Sequence, residues 1–82
     1  MPWDLWIDFH RVDENGLTLA SIKDVRAGVH LHQGSFVVVG DDDCEPAIAE
    51  VIEFDDVDGF MRLRVFPGAA VEHPDLLAQT TH

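Results

Sequence analysis

Turn-forming residues interrupt this chain so often that no long element fits between them. Asn15-Gly16, Gly28, Gly34, Gly40-Asp41-Asp42-Asp43, Asp58-Gly59 and Pro67-Gly68 recur at short intervals, the rhythm of small all-β domains. The runs between them are rich in Val, Ile, Phe and Trp, side chains that suit a pleated surface. Ahead of the tail no helical periodicity is sustained. The 82 residues leave room for one domain with one small core. A core of that size is marginal by itself, so a tight barrel or a dimer is expected.

In the first strand Trp3, Leu5, Ile7 and Phe9 alternate with Asp4, Trp6, Asp8 and His10. The odd face should enter the core, and Trp6 stands on the polar face. Asp13-Glu14-Asn15-Gly16 turns, because Asn-Gly accepts positive φ angles, and Leu17 to Ile22 returns as a second strand. Two registers are open: a two-residue loop sets Phe9 against Ile22, and a four-residue loop sets Ile7 there. A short polar connection, at most one helical turn, spans Lys23 to Gly28. Phe36-Val37-Val38-Val39 is apolar on both faces, so its strand should be central or covered. Pro46 lacks an N–H and belongs at a strand start.

The last hairpin is expected to turn at Asp58-Gly59 in a type I′ turn. Val57 then faces Phe60, Asp55 faces Arg62 and Glu53 faces Arg64. On the other face Phe54 meets Leu63 and Ile52 meets Val65. Two apolar pairs and two opposite-charge pairs sort onto separate faces, which favours this register. Residues 69–82 lack a strand pattern and form a tail, with a short helix expected over 74–79 and fraying from Thr80 to His82.

Five strands and one short helical turn suit a small closed or half-closed barrel. Leu31-x-x-Gly34-x-x-Val37-Val38-Val39, an acidic turn and Ala47-x-Ala49-x-Val51 together resemble the second and third strands of SH3-like barrels of the KOW-like, translation-protein kind. The likeness covers about half the chain. It implies an all-β, SH3-like barrel of about five strands; Pro67-Gly68 ends the sheet, so the barrel is expected over residues 1–68, followed by a short C-terminal helix or disordered tail. Nucleic-acid-binding members of that group present basic loops, and this chain carries acids there. The whole chain also resembles small acidic proteins of actinobacteria, which implies no function.

Sixteen acids against five Lys and Arg give a net charge of -11, which opposes nucleic-acid binding because phosphate contacts need cations. The charge is uneven: residues 1–40 carry -2 and residues 41–82 carry -9, with nine acids and no base from Asp41 to Asp58. That segment is either a solvated edge that blocks strand pairing or a docking surface for a basic partner. One Cys excludes an intramolecular disulfide and fits a reducing cytosol. No apolar run approaches the roughly 20 residues that span a bilayer, and none resembles a signal peptide. A cytoplasmic protein with no membrane partner is expected.

His30-x-His32 has the spacing of two metal ligands on one side of a strand, with His10, His73 or an Asp available to complete a zinc or copper site. The plainer reading is two solvent-facing imidazoles. The acids around Asp55-Asp56-x-Asp58-Gly59 miss the EF-hand pattern, since Phe54 and Val65 stand where ligands are needed. Arg62 and Arg64 share a face but are opposed by carboxylates. Cys44 lies between Asp43 and Glu45, which disfavour its thiolate. Thr18, Ser21 and Ser35 are the hydroxyl residues ahead of the tail, and none sits in a nucleophile elbow. Neither catalysis nor a cofactor is expected. The candidate interface joins apolar Trp6, Phe36 and Val38 to acidic Asp41, Asp42 and Asp43. The chain reads as a non-catalytic protein-interaction or oligomerisation module, partnered by itself as a homodimer or by another protein of basic charge. The alternatives are an acidic inhibitor (antitoxin, immunity protein or DNA mimic) and a metal-binding domain through His30 and His32.

Overall fold

A computed structural model describes residues 3–80. The strands are β1 (Leu5–Trp6), β2 (Thr18–Ser21), β3 (Phe36–Gly40), β4 (Ala47–Asp55) and β5 (Phe60–Val65). They form one sheet in the order β1-β3-β4-β5-β2. Bridges from Leu5 to Val25 and from Val12 to Thr18 draw the two edges together, which nearly closes the barrel. The expected all-β small barrel is the observed fold, and its shape is compatible with an SH3-like barrel. Among the described residues no helix is long and apolar enough to cross a membrane.

Alternation along the strands builds the core. Leu5, Ile7, Val37, Val39, Ala49, Val51, Met61 and Leu63 point inward, and each is essentially fully buried. β3 and β4 also carry apolar side chains outward, and these form a second cluster. Val38 and Ile48 are buried there with Ala70, against Trp3, Phe36, Phe66 and Leu76. The segment from Ala69 onward supplies the cover, through a 3-10 turn (Ala70–Glu72) and the helix α1 (Pro74–Leu77). Ala70 N–H donates to the Pro46 carbonyl at 2.8 Å. A β3 that is apolar on both faces is therefore satisfied within its own chain.

Several expected details are corrected. β1 is two residues long and does not form a hairpin with β2. It lies parallel to β3, with Leu5 opposite Val39 and Trp6 opposite Gly40. The Asp8 carboxylate accepts the His10 N–H, and the Asp8 carbonyl accepts the Arg11 N–H, so the backbone turns before β1 can reach Asn15-Gly16. Near that turn Val12 faces Thr18, a register between the two that were open. The tail helix ends at Leu77 rather than residue 79. Thr80 does not fray: it is buried and bridges to Phe36. The fraying expected at Thr81 and His82 lies outside the described residues.

The last hairpin also differs. Asp55 faces Phe60, Phe54 faces Met61 and Glu53 faces Arg62; beyond an irregularity between Val51 and Glu53, Val51 faces Leu63 and Glu50 faces Arg64. A type I′ turn would need positive φ at Asp58 as well as Gly59, and only Gly59 has it, at 80°. Instead the Gly59 N–H closes back on the Asp55 carbonyl at 2.9 Å, and the Asp55 carboxylate caps the loop by accepting N–H groups from Val57 and Asp58. Ile52 is the extra residue of the bulge, which switches the inward parity of β4 from Val51 to Phe54. The ion pairs move accordingly: Arg62 meets Glu53 and Asp13, and Arg64 meets Glu50.

Candidate interaction surface

The site is built around β1. Asp4 N–H donates to the Val38 carbonyl and Ile7 N–H to the Gly40 carbonyl, both at 2.9 Å. These bonds bracket Trp6 and hold it beside Gly40. Leu5 fills the core, so its neighbour must face out, and Trp6 is 40% exposed. The Trp3 ring packs across Gly40: a Cβ there would stand 3.3 Å from Trp3 Cε3. Glycine at this position lets an aromatic ring lie against the backbone where the acidic turn begins.

Asp4 shares the outward face with Trp6, yet it is buried. Its carboxylate meets the Arg26 guanidinium at 2.5 Å, and the Arg26 N–H donates to the Asp4 carbonyl at 2.8 Å. Trp3, Asp4, Trp6, Asp24, Arg26 and Asp42 line a largely apolar cleft of about 280 Å3. That lies at or below the lower bound for small-molecule pockets, roughly 300 Å3.

The acidic turn divides its labour. The Asp41 carboxylate accepts N–H groups from Asp43 at 2.9 Å and Cys44 at 2.7 Å. The bond from Asp43 is the largest influence on this carboxyl and holds it below the ordinary aspartate value, against an opposing effect of desolvation. Asp41 is thus a turn cap, while Asp42, Asp43 and Glu45 are exposed. Desolvation pushes the Cys44 thiol up, reinforced by the Asp41 carboxylate, which lowers its thiolate content at neutral pH.

Of the residues singled out in the sequence, the structure brings Trp6 and Asp42 to one cleft. Phe36 and Val38 belong to the tail-covered cluster, and Val38 is buried. Neither His30 nor His32 lies on a strand and both are exposed, so the shared strand face assumed for them is absent. His32 Nδ1 instead lies 3.0 Å from the Gln33 carbonyl. Among the described residues no three His, Cys, Asp or Glu side chains gather in a way that would hold a metal ion. Arg26, Asp24, Trp3 and Gly40 escaped the sequence reading. Trp3 reads as a core residue in the sequence, Asp24 and Arg26 reach the cleft only through long-range pairing, and Gly40 lies against the Trp3 ring.

A wider open cleft of about 690 Å3 lies around Phe60, lined also by Arg11, Lys23, Asp24 and Asp58. Its two cations and two carboxylates balance, so its size comes without a directed charge. Compared with protein-family models, curated proteins and solved structures, the chain matches none.

Proposed function

We propose that this chain is a non-catalytic protein-interaction module that docks a basic partner on the Trp6 end of its barrel. The observation that carries the reading is an exposed Trp6 in the same cleft as Asp24 and Asp42. Exposed tryptophan is a frequent interface anchor, and the surrounding carboxylates favour cationic partners. The β3–turn–β4 segment is read as KOW-like with its loop charge inverted, which redirects that loop from nucleic acid to a basic protein. Homodimerisation through the same surface would set two acidic turns together in a chain of net charge -11, so a different protein is the better occupant.

The test is capture from a lysate on immobilised wild-type and Trp6→Ala chains at low and high salt, alongside light scattering of the free chain. The expected outcome is a protein retained by the wild type at low salt, released by added salt and not retained by the variant. A salt-indifferent dimer that survives Trp6→Ala would refute the reading. The acidic-inhibitor alternative draws on the exposed Asp42, Asp43 and Glu45 of the same turn. It requires that the captured protein be an enzyme or toxin whose activity falls on binding.

A further inference from the structure

The Trp6 cleft carries three carboxylates, from Asp4, Asp24 and Asp42, against one guanidinium, that of Arg26. Arg26 is already engaged with Asp4, so the cleft keeps a negative charge beside an indole that is 40% exposed. Asp24 comes from the 3-10 turn after β2, and Asp42 from the turn after β3. The carboxylates therefore approach from separate segments. A space of about 280 Å3 suits one inserted side chain better than a cofactor-sized ligand.

Building on the interaction reading above, we infer that the side chain this cleft takes from its partner is an arginine, stacked on Trp6 and donating to Asp24 and Asp42. A guanidinium is flat, weakly hydrated and carries five donors in a fixed fork, which suits an aromatic face rimmed by carboxylates. A lysine ammonium is a compact, strongly hydrated charge and gains less from such a wall. One guanidinium already lies against a carboxylate at this cleft, in the Arg26–Asp4 pair.

The probes are hexa-arginine and hexa-lysine peptides, titrated into the isotope-labelled full chain at equal ionic strength and followed by NMR. Hexa-arginine should bind about threefold to tenfold more tightly, the increment of a partly desolvated cation–π contact. It should shift the Trp6 indole N–H and the Asp24 and Asp42 amides. In Trp6→Leu the two peptides should bind alike, and Asp24→Asn with Asp42→Asn should weaken both. Equal affinities for the wild type, no binding, shifts that bypass Trp6, or an arginine preference that survives Trp6→Leu would overturn the inference. The shift mapping uses the unaltered chain, so it decides the matter even if Trp6→Leu fails to fold. If arginine preference is absent while Trp6→Ala still abolishes lysate capture, the arginine inference falls and the interaction surface stands.

Discussion

Asp41 and Asp55 act alike at two turns. Asp41 accepts N–H groups from Asp43 and Cys44, and Asp55 accepts them from Val57 and Asp58. Both carboxyls are held below the ordinary aspartate value, chiefly by the bonds from Asp43 and Asp58 respectively. A carboxyl with a lower pKa in the folded state contributes stability that is complete above its unfolded value, near pH 4, and is lost as pH falls through the folded value. Asp41→Asn and Asp55→Asn should therefore lose less stability than the wild type as pH falls below about 4. Asn suits the same turns and has no charge to lose. Urea melts across that range check this, and identical pH slopes for all three chains would contradict it. At Gly40 a methyl group would press on Trp3 at 3.3 Å. Gly40→Ala should displace that ring by a few tenths of an ångström. An unchanged near-ultraviolet circular dichroism spectrum would show that the ring has room.

At the scale of elements, hairpin register and tail docking decide which surfaces remain open. The observed register couples Arg64 to Glu50 at 2.7 Å, whereas the sequence pattern alone couples it to Glu53. A double-mutant cycle on Glu50 and Arg64 should give a coupling of roughly 0.2–1 kcal/mol, as expected for an exposed pair. The same cycle on Glu53 and Arg64 should give nothing measurable, and the reverse result would reinstate the two-residue turn. The tail elements are three and four residues long, too short to be helical alone, so their order derives from contact with β3 and β4. Ala70 is 5% exposed within that contact. Ala70→Asp should release the tail, uncover Val38 and Ile48, and raise binding of a hydrophobic dye while the strands persist. No rise in dye binding would mean that something other than the Ala70 contact holds the cover.

For the whole molecule, charge dominates. A net charge of -11 is confined within principal extents of 32 × 28 × 23 Å, only a few screening lengths at about 0.1 M salt. Self-repulsion of that kind opposes the compact state. Added sodium chloride should raise the thermal midpoint, and a midpoint that falls would show that the surface ion pairs outweigh the repulsion. The same field should keep the chain off DNA and RNA at any salt, since few cations are available to displace counterions. A tight, salt-sensitive complex with either would refute this.

Near-neighbour chemistry was legible in the sequence. Alternation placed Leu5 and Ile7 inward, put Leu63 and Val65 on one face of β5 and Arg62 and Arg64 on the other, and marked β3 as needing cover on both sides. Those assignments depend on a period of two and on local sterics, which are written in adjacent residues. Pairing is different. Asp58-Gly59 fits either a two-residue or a four-residue loop, and the choice fell to the Asp55 cap and the Ile52 bulge. β1 took the edge of β3 instead of a hairpin with β2, and the tail covered Val38 and Ile48. Phe36 and Val38 of the proposed interface thereby went to the tail-covered cluster, while Asp24 and Arg26 arrived beside Trp6 from another part of the chain. Which edges meet and which faces stay open depends on burial summed over the whole barrel, and no local stretch carries that sum.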